Sequence, residues 1–159
     1  MLKDPHNTGA RRNYAVSLFG AGDFRRALQQ YKVYFKAVPE DAYMPIMADL
    51  SARRIGGREE KLLRDNIVRF AGNAWLHAGM RYLLGEITDD QLIAVAREGT
   101  VFDIIQHECE GWFWIAQVRL AAGDKSGGVL ALRRCVSTGF TAFIEYEIAK
   151  VQLQRLEQE

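Results

Sequence analysis

The segment His107-Glu108-Cys109-Glu110 places an imidazole, a thiol and two carboxylates at adjacent positions. An imidazole and a carboxylate that share a helix face could perform acid–base chemistry or bind a metal ion. A zinc-binding helix of the H-E-x-x-H type needs a second imidazole four residues after the first, and Gly111 stands there. We therefore expect a solvated helix start here, with no catalytic residue and no metal site.

The run of residues 123–128, G-D-K-S-G-G, contains the residue types of a phosphate-binding loop. A Walker loop has the order G-x-x-x-x-G-K-[ST] after a strand, whereas here Asp124 directly precedes Lys125 and a helical pattern precedes both. Ser126 lacks the glycine two positions earlier that a nucleophile elbow requires. The shorter run at 20–22 lacks the third glycine and the strand of a dinucleotide fingerprint. Both runs predict turns, and we expect no cofactor.

The chain is nearly neutral, with 21 lysines and arginines against 20 aspartates and glutamates. A net charge of +1 gives no overall attraction to a polyanion, and the four Arg-Arg pairs are spread over different predicted helices. We therefore expect no nucleic-acid partner. Residues 1–80 carry 13 basic and 8 acidic side chains, and residues 81–159 carry 8 and 12. This asymmetry could steer a protein partner or favour self-association.

The length of 159 residues suits one domain with one core, spanning 1–159. No apolar run approaches the roughly 18 residues of a membrane span, and the first residues lack the apolar stretch of a signal peptide. If Met1 is the natural start, the sequence predicts a cytoplasmic protein. If a leader was removed, a periplasmic or envelope location is possible.

Glycines interrupt the helical pattern of the sequence at regular intervals. Gly22-Asp23 and Gly123-Asp124 are 101 residues apart, close to three periods of about 34. Gly56 lies one period after Gly22, and Gly85 lies about four residues from the remaining expected turn. Apolar residues recur every three or four positions between these turns, so the sequence predicts helical hairpins.

This spacing predicts four hairpins and a last helix. The predicted helices run over about 8–20, 23–37, 42–55, 58–70, 73–84, 89–97, 103–122, 124–137 and 141–157. We expect Asp23 and Asp124 to cap second helices, Thr88 and Gln91 to form a capping box, and Asp4-Pro5 to begin the first helix. The last helix has a polar end that suits a cap on the core.

The fourth hairpin also predicts the state of both cysteines. If the small residues Ala116 and Gly128 mark the crossing of its two helices, the same antiparallel register brings Cys109 and Cys135 together. Helix axes pack about 8–10 Å apart, whereas a disulfide needs Cα atoms within about 6.8 Å. We expect a buried, reduced pair.

These residues resemble the tetratricopeptide repeat, a helix–turn–helix of about 34 residues. In the first hairpin the likeness rests on Ala15, Gly22, Asp23, Phe24, Ala27, Leu28, Tyr31 and Pro39, and in the fourth on Trp112, Ile115, Ala116, Gly123 and Asp124. Residues 75–150 are similar to the C-terminal part of bacterial tetratricopeptide lipoproteins of the NlpI type. The resemblance implies an all-α solenoid of about four hairpins plus a C-terminal capping helix. It further implies a non-enzymatic adaptor or scaffold, possibly a homodimer, that binds another protein or a peptide segment.

The family's concave groove positions can be transferred to this chain by register. They are Arg12, Val16, Phe19, Tyr43, Ile46, Leu50, Arg53, Trp75, Tyr82, Phe113 and Gln117. Aromatic residues with two arginines are typical of a protein-binding face. Trp75, Tyr82 and Phe113 could equally belong to the core, especially if the last helix folds over the groove. The alternative function is a self-assembling structural module without a peptide groove.

Overall fold

The computed structural model describes residues 7–158, which form nine α-helices and no strand. The helices are α1 (Thr8–Gly20), α2 (Phe24–Ala37), α3 (Tyr43–Arg53), α4 (Glu60–Ile67), α5 (Ala74–Leu83), α6 (Asp89–Ala96), α7 (Val101–Ala121), α8 (Lys125–Ser137) and α9 (Ile144–Leu156). Consecutive helices pack as hairpin-like pairs, most extensively α1 with α2 and α7 with α8. The fold is therefore all-α and consistent with a helical solenoid, as the sequence predicts.

The predicted caps begin their helices. The Asp23 side chain accepts a hydrogen bond from the backbone of Arg26, and Asp124 does the same for Gly127. Thr88 and Gln91 form the reciprocal bonds of a capping box at the start of α6. Each of these side chains satisfies a backbone N–H that has no partner within its own helix. The predicted cap at Asp4-Pro5 lies outside the described residues.

The hairpin of α7 and α8 is closely packed at Gly128. A Cβ added there would lie 2.6 Å from the side chain of Leu120 and 3.5 Å from the carbonyl oxygen of Ala116. This close approach brings the sulfur atoms of Cys109 and Cys135 to 3.6 Å from each other, and both cysteines are buried and free. The predicted buried, reduced pair is confirmed.

An aromatic stack forms the centre of the core. The rings of Trp75 and Trp114 are stacked with centroids 4.9 Å apart. The Trp114 ring lies against Gly79, where a Cβ would come within 2.5 Å of it. Around this stack, α3 runs through the interior, and each of its residues from 44 to 52 is buried. The first helices of the hairpins thus pack against one another instead of lining an open channel.

The last helix packs against three earlier helices. It contacts α8 most extensively, and it also contacts α7 and α1. The buried amides of Gln117 and Gln152 are hydrogen-bonded between α7 and α9 at 2.7 Å, and Arg155 donates to the carbonyl oxygen of Gly20 at the end of α1. Within residues 7–158, each helix is too short or too polar to cross a lipid bilayer.

Candidate functional site

Most of the transferred groove positions lie in the core. The residues with buried side chains are Val16, Phe19, Ile46, Leu50, Trp75, Tyr82, Phe113 and Gln117. For Trp75, Tyr82 and Phe113 this is the core alternative that the sequence leaves open, whereas the other five were expected in the groove and are buried as well. Arg12, Tyr43 and Arg53 remain partly exposed, and they lie in two separate clefts.

Arg53 lies in a cleft of about 550 Å³ between α3, α5 and α7. It contacts the buried carboxylate of Asp49 at 2.7 Å, and Arg58 contacts the same carboxylate at 3.1 Å. Both guanidinium groups also donate to the carbonyl oxygen of Leu83. These bonds join the turn after α3 to the end of α5. Because the two arginines are already paired with a carboxylate, we assign them a structural role.

Arg12 and Tyr43 lie in a second cleft, which we call the acidic cleft, with a volume of about 320 Å³. It is lined by Arg12, Tyr43, Gln106, Glu110, Ala142, Phe143, Ile144 and Glu145. Helices α1, α3 and α7 each contribute one or two of these residues, and the remainder come from the start of α9 and the loop before it. The cleft therefore lies where the start of α9 meets α1, α3 and α7.

Glu110 forms the inner wall of the acidic cleft and is only 1% exposed. The indole Nε1 of Trp75 donates to its Oε2 atom at 2.5 Å. The Tyr43 hydroxyl and the Gln106 amide each donate to its Oε1 atom at 3.2 Å. Three side chains from three helices thus hold one carboxylate in a fixed position.

Burial and a neighbouring charge change the acidity of this group. The pKa of Glu110 is raised to about 7: burial and then the charge of Glu145 raise it, while the three hydrogen-bond donors act in the opposite direction. Burial, followed by the charge of Glu110, raises the pKa of the Tyr43 hydroxyl. At neutral pH the tyrosine is therefore a hydrogen-bond donor, and Glu110 exchanges between its charged and neutral forms.

Glu145 is the second carboxylate of the acidic cleft, in the first turn of α9, and it is 6% exposed. Burial raises its pKa. Among the described residues, its own backbone N–H is the one hydrogen-bond donor to the carboxylate, and no cation lies within 4.0 Å. The nearby Arg12 lowers the pKa of Glu145 through its charge, but its Nε atom pairs with Asp41 at 3.4 Å.

The structure corrects the interpretation of the segment His107-Glu108-Cys109-Glu110 as a solvated helix start. The segment lies in the middle of α7, and Cys109 and Glu110 are buried against the core. His107 is stacked on the Trp75 ring at 4.7 Å, and burial lowers its pKa. Its Nδ1 atom is buried without a hydrogen-bond partner in the described structure. Glu110 is hydrogen-bonded to other side chains, so the two do not form an acid–base pair.

A comparison of the chain with models of known protein families finds no match. Chemically, the acidic cleft offers two carboxyl groups of low solvent exposure, a fixed hydroxyl donor and one aromatic ring. Such a site can accept hydrogen bonds from a charged donor, and hydrogen bonds of this kind are roughly twice as strong as neutral ones.

Proposed function

We propose that the chain is a non-enzymatic protein-interaction module that holds a segment of another protein in the acidic cleft. The observation that carries this proposal is the position of the cleft. Arg12 and Tyr43, two of the transferred groove residues, meet there with two buried carboxylates in an accessible space between four helices. Helical-hairpin solenoids use their concave side for binding, and two residues transferred from that side, Arg12 and Tyr43, line the acidic cleft.

A second, apolar cleft next to the first favours an extended ligand such as a peptide segment. It has a volume of about 370 Å³ and lies between α1 and α9. Its lining includes Val16, Ile148 and Val151, and Ile144 lines both clefts. Ile144 is 40% exposed, which leaves apolar surface for contact. A segment could therefore place one side chain in the acidic cleft and apolar side chains along α9.

We further propose that the hairpins are tetratricopeptide repeats. The support is the equivalence of two turns, at Gly22-Asp23 and at Gly123-Asp124. Both glycines have positive φ, +85° and +82°, and both aspartates cap the following helix. The likeness of residues 75–150 to NlpI-type lipoproteins stays a prediction.

Selection from a random-peptide display library tests the proposed function. The key variant is Ala142→Trp, because Ala142 is exposed and lines the acidic cleft, so an indole there obstructs it. Thr141→Trp is the matched control, since Thr141 is also exposed and does not line the cleft. We expect selected peptides to bind the unmodified chain and Thr141→Trp but to lose binding to Ala142→Trp. Equal binding to all three proteins, or no selected peptide, would reject the proposal.

Self-assembly is a second candidate, favoured by one exposed apolar cluster. Val101 and Phe102 begin α7, and Phe102 is 59% exposed although its ring also contacts Phe140 edge-on at 5.4 Å. Exposed aromatic side chains of this kind are enriched in protein interfaces. Light scattering at low and high salt distinguishes the candidates: a monomer under both conditions eliminates self-assembly, and a dimer that Phe102→Ser dissociates supports it.

A further inference from the structure

The acidic cleft contains more negative charge than this chain balances. Its charged lining residues are Arg12, Glu110 and Glu145, and Arg12 already pairs with Asp41 outside the cleft. Glu110 receives hydrogen bonds from neutral donors, and Glu145 receives none from another described residue. A buried carboxylate that lacks a cation is costly, because burial removes the water that stabilises its charge.

When the cleft is empty, protonation of the carboxylates reduces this cost. The pKa of Glu110 is raised to about 7, and that of Glu145 is also raised, chiefly by burial, so each carboxyl group holds its proton more tightly than an exposed glutamate does. A positively charged ligand would lower the pKa of both carboxyl groups, because an adjacent cation favours the ionised form of a carboxyl group. Binding of a cation and release of a proton are therefore linked.

The walls of the cleft suit a cation on an alkyl chain. The Phe143 ring and the Ile144 side chain line it alongside the carboxylates, and the Tyr43 hydroxyl is already directed to Glu110. Lysine and arginine have such a form: an apolar stem that packs on hydrophobic surface and a charged end that donates hydrogen bonds. An aromatic ring adds attraction for the charge when the cation approaches its face.

We infer that the acidic cleft recognises a basic side chain, the ammonium of lysine or the guanidinium of arginine, which contacts the carboxylates of Glu110 and Glu145. This inference rests on the proposed function in one respect, namely that the basic side chain belongs to a protein segment. Apolar residues beside the basic one would then lie in the neighbouring cleft along α9, which Ile144 connects to the acidic cleft.

Titration with blocked amino acids tests the charge preference without any peptide. The probes are N-acetyl-lysine methylamide and N-acetyl-arginine methylamide, with N-acetyl-norleucine methylamide as the uncharged probe of similar shape. The reporter is the indole N–H resonance of Trp75 in a ¹⁵N–¹H NMR spectrum, because that group donates to Glu110. We expect saturable shifts with a basic probe, with a dissociation constant on the order of millimolar, as befits a small ligand.

Two variants test whether the shift depends on the negative charge in the acidic cleft. Glu145→Gln keeps the shape and removes the charge, and Glu98→Gln changes an exposed glutamate that lines neither of the two clefts. We expect binding of the basic probe to weaken about tenfold or more in Glu145→Gln and to stay unchanged in Glu98→Gln, since a buried partner charge contributes more than an exposed one. Circular dichroism of each variant establishes that it remains folded.

The pH dependence provides an independent readout. The titratable and charged groups around the carboxylates are Arg12 on α1, Tyr31 on α2, Asp41 before α3, Tyr43 on α3, Cys109 on α7, Cys135 on α8, and Glu110 and Glu145 themselves. Of the two carboxyl groups, Glu110 titrates at about pH 7, so basic probes should bind more tightly at pH 8 than at pH 5.5.

Three results would overturn the inference: equal shifts with the norleucine probe, unchanged affinity in Glu145→Gln, or no saturable shift with either basic probe. The peptide selection and the probe titration can fail separately. Selected peptides that bind without a basic residue would leave the proposed function standing and reject the inference. Basic probes that bind when no peptide is selected would support the charge preference and reject the proposed function.

Discussion

The free energy of unfolding should fall as the pH rises from about 4.5 to about 7, and Glu110 contributes to this fall, as does Glu145, whose pKa burial also raises. The pKa of Glu110 is raised from 4.5 to about 7, chiefly by burial. Between these two values the folded chain binds a proton that the unfolded chain has released, and this difference stabilises the folded state. The contribution is complete below about pH 4.5 and is lost as the pH rises through about 7.

The size of this effect follows from the two pKa values. One pKa unit corresponds to about 1.36 kcal/mol, so Glu110 should account for a loss of about 3 kcal/mol between pH 4.5 and pH 8. Replacement by glutamine removes the titration. The amide has one acceptor oxygen for the donors on Trp75, Tyr43 and Gln106, and we expect this to cost about 1–3 kcal/mol at every pH. Glu110→Gln should therefore be less stable than the unmodified chain at pH 5 and equal or superior to it at pH 8.

Urea unfolding at pH 5 and pH 8, followed by far-ultraviolet circular dichroism, measures this difference. Glu147→Gln is the control, because Glu147 is exposed and should leave the pH dependence unchanged. Burial lowers the pKa of His107, which acts in the opposite direction over part of the same range. His107 is present in all three proteins, so the comparison isolates Glu110. An equal loss of stability in Glu110→Gln and in the unmodified chain would refute the reasoning.

Two further predictions concern the core. Gly79→Ala should destabilise the fold by about 1–3 kcal/mol in a thermal melt, because its Cβ would lie 2.5 Å from the fully buried ring of Trp114. The control Gly72→Ala should not destabilise the fold, because a Cβ there meets nothing within 4 Å. Equal melting temperatures of the two variants would contradict this packing. Cys109 and Cys135 should react with a thiol reagent only after unfolding, since both are fully buried, and rapid reaction of the native chain would contradict their placement.

The sequence predicted the helices well because their boundaries depend on local signals. The capping box at Thr88 and the aspartate caps at Asp23 and Asp124 act within three residues of themselves. The reduced cysteine pair was also predictable, because one small-residue crossing fixes the register of a whole antiparallel hairpin. Long helix–helix contacts between hairpins leave no comparable local pattern.

The acidic cleft was harder to predict, for two physical reasons. Glu110 lies four residues after Gln106 and four residues before Trp114, so the three share one face of α7. Because Trp114 is buried, this spacing was the available signal that Glu110 also faces inward. Glu145 is buried because α9 lies across α7 and α1, a contact between distant parts of the chain. Phe113 is likewise buried through a long-range contact, since its ring lies 5.9 Å from that of Phe19 on α1.

The central claim is that the acidic cleft binds a protein segment through a basic side chain. Isothermal titration calorimetry at pH 8 tests this claim directly. A display-selected peptide and a variant peptide, in which norleucine replaces the basic residue, are each titrated into the unmodified chain and into Glu145→Gln. We predict that the norleucine peptide binds the unmodified chain at least about tenfold more weakly than the basic peptide does, and that the two affinities differ much less for Glu145→Gln, as coupling between contacting charges requires. Equal affinity of both peptides for the unmodified chain would contradict the claim.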